Sequence, residues 1–168
     1  MRTWTTTSVC TAALLLSGAA AQADDDKRVP VTASFGVGLN TTQPGNSANH
    51  HILPQDIHVK TGSVVNFMVA GFHQIYVYQP GVKLEDIFVP DTGLFVNEHL
   101  DHLYYPGILP AGGPPPGFPA TVNPSNAVNR VESVAFLKPG VYLVICNVRD
   151  HLTDGMWAYV KVTGKAPR

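Results

Sequence analysis

Cysteine is scarce in this sequence, with only two residues in a chain of 168. Cys10 lies in an apolar N-terminal segment that we expect to be removed, so the mature chain would keep Cys146 alone. Exported proteins usually pair their thiols in disulfides, and a single cysteine has no partner within its own chain. Cys146 is therefore expected to be buried and inert, protected by a bound metal, or reactive.

Charge is also sparse, since charged residues make up 14% of the chain and the formal net charge is −1. The basic residues do not gather into a patch, which argues against a nucleic-acid partner. Beyond the N-terminal segment, no apolar run is long enough to cross a membrane. We therefore expect neither nucleic-acid binding nor stable membrane insertion, and we expect a monomer.

Residues 1–23 have the pattern of a secretory signal peptide. Arg2 is followed by an apolar stretch over residues 9–21, and Ala21-Gln22-Ala23 provides a small-x-small cleavage site. The apolar stretch is too short to span a membrane comfortably. We predict cleavage after Ala23, a mature single domain over residues 24–168, and a periplasmic or otherwise secreted location.

Short β-type segments separated by turn residues recur along the rest of the chain. Each is rich in β-branched and aromatic side chains, which favour strands. The predicted strands cover residues 29–39, 57–60, 64–70, 73–78, 131–137, 141–146 and 157–162. Because almost no long helix accompanies them, these segments predict an all-β fold, an antiparallel Greek-key β-sandwich or barrel.

A long segment interrupts this pattern at about residues 81–130. Residues 84–89 and 92–105 could hold a short strand and a helical turn, and residues 106–124 are rich in proline and glycine. Proline supplies no backbone donor, so this last stretch cannot join a central strand. We expect a Pro/Gly-rich insertion at the surface that could cover a sheet edge, cover a functional site or dock a partner.

Three residue types that bind metals lie within a short C-terminal segment, at Cys146, His151 and Met156. A thiolate and imidazoles with a weak axial thioether form the ligand set of a one-electron copper site. A fourth ligand must come from elsewhere, and His73 is the best candidate because a sandwich can bring its strand end beside Cys146. The sequence thus predicts one copper ion bound by the imidazoles of His73 and His151, the Cys146 thiolate and a long contact from Met156.

The residues near these candidates suggest how the segment is built. Gly155 allows a tight turn just before Met156. Asp150 and Asp154 could contact the ligands or cap backbone groups, or they could be solvated loop charges.

The segment over residues 136–146, continued by His151 and Met156, resembles the copper-binding signature of the cupredoxins, the small blue copper proteins. The spacing from Cys146 to His151 and on to Met156 is similar to that of rusticyanin and auracyanin more than to that of plastocyanin. Residues 59–67, followed by His73, resemble the first-ligand region of the family.

The resemblance implies a mononuclear type 1 copper site that cycles between Cu(II) and Cu(I). It also implies an electron carrier, not an enzyme, that serves redox protein partners such as a cytochrome or an oxidase. One departure concerns the residue after the first histidine, which in many members is Asn or Ser and helps to hold the cysteine sulfur through its backbone. Here this residue is Gln74.

Several histidines outside this set leave alternatives open. His50 and His51 are adjacent, and His99 and His102 are spaced to share one face of a helical turn, where Glu98 or Asp101 could join them. They could bind a second metal ion, as in a periplasmic protein for copper tolerance or delivery. They could equally be solvated loop histidines.

Zinc binding and catalysis are weaker interpretations. Zinc could use Cys146, His73 and His151, but Met156 would then be unexplained. A multicopper enzyme would need His-x-His clusters, and a binuclear copper centre would need a second cysteine near Cys146; the sequence has neither. The simplest alternative is a buried core thiol beside ordinary loop residues.

Overall fold

The computed structural model describes residues 30–36, 50–109 and 129–165. The predicted signal peptide and the part of the Pro/Gly-rich stretch beyond residue 109 lie outside the described residues. In the described ranges the chain forms nine strands, which are, from β1 to β9, Val31–Gly36, Ile52–Leu53, Asp56–Lys60, Ser63–Ala70, Ile75–Tyr78, Leu103–Pro106, Asn129–Phe136, Gly140–Cys146 and Trp157–Thr163. They are accompanied by one α-helix, α1 at Arg149–Thr153, and by two 3₁₀ turns at Leu84–Asp86 and Leu100–His102. None of the helices in these ranges has the length and apolar character needed to cross a membrane.

The strands form two sheets, and the predicted all-β sandwich is confirmed. The four-stranded sheet has the order β2-β1-β4-β7, and the five-stranded sheet has the order β3-β9-β8-β5-β6. Most neighbours are antiparallel, as expected, but β1 pairs with β4 and β3 pairs with β9 in parallel. The sequence did not indicate these two pairs, because side-chain alternation specifies the buried face of a strand and not the direction of its neighbour.

The core between the sheets follows the alternation of the strands. In β4, Val65, Phe67 and Val69 are fully buried, and the residues between them are partly exposed. From the five-stranded sheet, Val144 and Cys146 belong to the same apolar cluster. Because β8 is paired on both sides, Cys146 at its end has a rigid support.

A second apolar cluster covers the outer face of the five-stranded sheet. Leu143 and Ile145 of β8 are buried there with Ile87 and Val96, which belong to the predicted insertion. The insertion also supplies β6, which pairs with β5 at the sheet edge and ends at Pro106, a place where an edge strand tolerates proline. The described part of the insertion is therefore packed into the fold.

Candidate metal centre

The pairing of β5 with β8 brings His73 and Cys146 together. Cys146 ends β8, and its partner across the sheet is Ile75, the first residue of β5. His73 lies in the bend just before β5, although the sequence predicted a strand that begins at this residue. Its Nδ1 is 3.7 Å from the Cys146 Sγ. Both residues are buried, with exposed fractions of 4% and 0%.

The loop after Cys146 closes on itself and carries the other two candidates. His151 lies on α1, and its carbonyl oxygen accepts the backbone N–H of Met156 at 3.0 Å. The N–H of Cys146 donates in turn to the carbonyl of Met156 at 3.0 Å. Gly155 makes the turn between them with a φ of +97°, as its position predicted. The closed loop keeps Met156 fully buried in the same apolar cluster as Cys146.

Three candidate ligand atoms form a small triangle. The Nδ1 atoms of His73 and His151 are 2.9 Å apart, and they lie 3.7 and 3.6 Å from the Cys146 Sγ. A point equidistant from the three atoms is about 2 Å from each, close to the bond length from a first-row metal ion to nitrogen or sulfur. Zinc would fit this triangle as well. The fourth residue of the predicted ligand set, Met156, offers a thioether, which favours copper.

The His73 ring is oriented by its other nitrogen. Its ring N–H donates to the carbonyl oxygen of Ala70, and Nε2 lies on that side of the ring. Such a bond fixes the tautomer and turns the other nitrogen toward a metal. Gly36, with a φ of +81°, borders the same ring edge and leaves no room for a Cβ atom. The sequence could not single out Gly36, because its role depends on the pairing of β1 with β4.

Two backbone groups hold the Cys146 sulfur, since the N–H groups of Gln74 and Val148 donate to it. Burial raises the pKa of Cys146 to about 12, and the two hydrogen bonds and the charge of Arg130 oppose this effect only in part. The thiol therefore keeps its proton at neutral pH, and a metal must displace it. Gln74 thus contacts the sulfur through its backbone, and its side chain turns instead to Asn147.

Both candidate imidazoles are neutral near pH 7. Burial lowers the pKa of His73 to about 3, and the nearby His151, His50 and Arg130 contribute to the shift. Burial also lowers the pKa of His151 to about 4, with a further contribution from His50 and an opposing one from Asp154. Neutral rings keep their lone pairs available, which is the state that metal binding requires.

The predicted insertion forms part of the wall of this site. Residues 94–96 run antiparallel to residues 147–149, and Phe95 and Val148 form the bridge between them. A backbone hydrogen bond lies on each side of this bridge, at 2.8 and 3.0 Å. The insertion therefore holds the ligand loop from outside the sheet, a role that no local pattern in the sequence revealed.

Asn147 connects three segments next to Cys146. It is fully buried, and its Oδ1 accepts the backbone N–H of Asn97 at 2.8 Å. Its Nδ2 donates to the side-chain oxygens of Gln74 at 2.8 Å and Asn97 at 3.0 Å. The bend before β5, the ligand loop and the insertion are thus joined by one side chain.

A buried ion pair supports the backbone of His73 from the four-stranded sheet. The Nη2 of Arg130 donates to the His73 carbonyl at 2.9 Å and lies 2.5 Å from the carboxylate of Glu132. Glu132 is only 3% exposed and also accepts the hydroxyl of Tyr105 at 2.8 Å. The sequence did not suggest this role, because a charge in an alternating strand usually faces water.

His50 lies beside the candidate ligands, although the sequence offered it only as a loop residue or a ligand of a second site. Its ring stacks on that of His151 with the ring centroids 3.7 Å apart. The adjacent His51 is exposed, and so is His58 on β3.

The structure brings three residues of the suggested second site together. His99, Asp101 and His102 each offer a ligand atom within 4.8 Å of the others. The Nε2 of His99 lies 2.9 Å from the carbonyl oxygen of Asp86. Both histidines line an open depression of about 530 Å³. His50 and His51 are not part of this cluster.

No family model matches this chain, and no curated protein matches it. Solved structures that match include auracyanin from the photosynthetic bacterium Roseiflexus castenholzii, at 15% identity and a TM-score of 0.45, over 80% of this chain and 97% of that one. A purple cupredoxin from Nitrosopumilus maritimus matches at 12% identity and a TM-score of 0.42, over 79% and 99%. A pseudoazurin from Methylobacterium extorquens matches at 20% identity and a TM-score of 0.40, over 82% and 78%. The function proposed for this chain rests on the residues of its site.

Proposed function

We propose that this chain is a type 1 copper protein of the cupredoxin kind and carries single electrons between redox protein partners. The observation that supports the proposal is the triangle formed by the Nδ1 atoms of His73 and His151 and the Sγ of Cys146. Met156, buried on the same loop, would be the fourth ligand. A zinc ion at this site would leave the Met156 thioether without a role.

A copper ion held by these residues would supply the redox chemistry, taking up and releasing one electron as it changes between Cu(II) and Cu(I). The contribution of the chain is to keep the ligand positions constant. The pairing of β5 with β8 fixes His73 relative to Cys146, and the closed loop fixes Met156. Two backbone N–H groups hold the sulfur, and such contacts tune a metal centre. A site that moves little between oxidation states suits a carrier.

The test is the visible absorption spectrum of the mature chain with one equivalent of copper. We expect an intense thiolate-to-copper band that a mild reductant bleaches and that Cys146→Ala abolishes. His58→Ala is the control and keeps the band, because His58 is exposed on β3. A colourless copper complex, or a band that survives Cys146→Ala, would contradict the proposal.

We also propose that the protein is exported to the periplasm, loses residues 1–23 and acts there as a monomeric single domain. The sequence pattern supports cleavage after Ala23. Cys146, free and buried, would be protected from oxidation by a bound metal. The protein isolated from the periplasmic fraction should begin at Asp24 and have the mass of one chain in solution. An intact N-terminus in a cytoplasmic fraction would contradict export.

A second candidate function is copper tolerance or delivery, and the cluster of His99, Asp101 and His102 favours it. The contact between the His99 Nε2 and the carbonyl of Asp86 resembles the outer contacts that orient metal-binding imidazoles. In this role the cluster would hold a second ion in addition to the one proposed at Cys146.

Metal stoichiometry distinguishes the two functions. A carrier binds one tightly held copper ion per chain, whereas delivery requires a second ion that the double variant His99→Ala with His102→Ala loses. The double variant His51→Ala with His58→Ala is the control, because both of its histidines are exposed outside the cluster. One bound copper ion per chain in the wild type and in every variant would exclude the second function.

A further inference from the structure

His50 is packed on the proposed ligand His151. Their ring planes are 26° apart and the centroids are separated by 3.7 Å, which is a stacked arrangement. The same ring meets His73 edge-on, with the centroids 6.0 Å apart. Only 13% of the His50 side chain is exposed, although the residue follows a polar stretch of the sequence.

Asp154 anchors this ring to the ligand loop. The Nδ1 of His50 lies 2.5 Å from the Oδ2 of Asp154, which follows His151 on the same loop. The backbone next to His50 is tied to β1, because the N–H of Gly36 donates to the carbonyl of His51 at 2.8 Å. His50 is thus held both by the four-stranded sheet and by the loop that carries the ligand.

The two proposed imidazole ligands are braced in different ways. His73 is 4% exposed and its second nitrogen donates to Ala70. His151 is only partly buried, and within the described residues no hydrogen bond holds its second nitrogen. One face of the His151 ring is instead covered by the ring of His50. The stack therefore gives a contact to a ring that lacks the outer hydrogen bond an oriented ligand normally has.

We propose that His50 is a positioning residue whose ring, stacked on that of His151, keeps the His151 ring turned with Nδ1 toward Cys146. This inference rests on the proposed function, since it assigns His50 a role toward the same site. According to this proposal, the stacked ring of His50 orients His151, and the imidazole nitrogens of His50 are not needed for this role. A different aromatic ring at this position should therefore serve nearly as well.

The test compares His50→Ala, His50→Phe and the control His51→Ala, whose side chain is exposed. Competition titration with Cu(I) gives the metal affinity. We expect His50→Ala to lower it about tenfold, as loss of an outer contact does, and His50→Phe to restore most of it. His51→Ala should match the wild type. In the metal-free protein, side-chain NMR of His151 should show one ring orientation in the wild type and His50→Phe, and exchange between two in His50→Ala.

Wild-type affinity and a single His151 orientation in His50→Ala would overturn the proposal. So would a loss in His50→Phe as large as that in His50→Ala, because the contact with Asp154 rather than the stack would then be responsible. If His50→Ala does not fold, the comparison of His50→Phe with the wild type decides. The NMR measurement needs no metal, so its outcome is separate from that of the proposed function, which fails if the wild type shows no thiolate band.

Discussion

Gly36 shows how closely the His73 ring is packed at the end of β1. A Cβ atom at this position would lie 2.7 Å from the carbonyl oxygen of Ala70 and 2.7 Å from the Nε2 of His73. These atoms lie at the contact that orients the ring. A side chain here must therefore displace either the ring or the backbone of β4.

We expect Gly36→Ala to lower the free energy of unfolding of the metal-free protein by about 2–4 kcal/mol, from strain at positive φ together with the clash. It should also weaken metal binding, because His73 must move. Chemical denaturation and metal titration measure the two effects. Gly81→Ala is the matched control, since its φ is +107° but a Cβ there meets nothing within 4 Å. Equal losses of stability in both variants, with unchanged metal affinity, would contradict the packing argument.

The raised pKa of Cys146 makes metal binding depend on pH. Burial raises the pKa of the thiol to about 12 in the metal-free protein, and both imidazoles are already neutral near pH 7. Binding should therefore release one proton, and the apparent affinity should rise about tenfold per pH unit between about pH 6 and 8. Calorimetry in buffers of different ionisation enthalpy counts the proton. Affinity that does not change with pH would show that the thiol is not a ligand.

Among the elements, the insertion and the ligand loop depend on each other through Asn147. Replacing Asn147 with Ala leaves the backbone N–H of Asn97 and the side-chain oxygen of Gln74 without this partner. A buried polar group left without its hydrogen bond costs about 1–3 kcal/mol. The cost should appear where residues 94–96 meet the ligand loop.

We expect Asn147→Ala to lower the free energy of unfolding by about 2 kcal/mol and to speed hydrogen exchange at the N–H groups of Val96 and Arg149. Denaturant titration and NMR measure the two effects. Asn66→Ala is the control, because Asn66 is only partly buried on β4 and bonds to Ser133 at the surface. If hydrogen exchange at the two sites is unchanged while stability falls, the insertion does not hold the loop through Asn147.

The sequence predicted those strands and ligands that depend only on the residues of a short segment. The alternation of β4 and the apolar runs of β8 and β9 placed their ends within one residue of the observed ones. Residue type and spacing were enough to select His73, Cys146 and His151, which the structure brings together, because few side chains bind copper. The parallel strand pairs and the role of residues 94–96 were missed. They depend on contacts between distant parts of the chain, which no local pattern encodes.

For the molecule as a whole, the neutral imidazoles link folding to pH. The pKa of His73 is lowered to about 3 and that of His151 to about 4, whereas both return to the ordinary value of 6.5 in the unfolded chain. Below pH 6.5 the unfolded chain therefore binds more protons than the folded one. This contribution to stability is fully present above pH 6.5 and is lost as the pH falls toward 4 and 3. Burial is the main cause of both pKa shifts; His151, His50 and Arg130 add to it at His73, and Asp154 opposes it at His151.

We therefore expect the thermal midpoint of the metal-free protein to fall steadily from pH 6.5 to pH 4, with uptake of about two protons on unfolding. His151→Gln should reduce the uptake by about one proton, because one of the two groups is removed. His58→Ala serves as the control and should follow the wild-type profile, since its side chain is exposed on β3. Calorimetric scans across this pH range measure both quantities. A flat profile, or a His151→Gln profile that matches the wild type, would mean that the buried imidazoles take up their protons without unfolding, and the end of the sandwich would then be open to water.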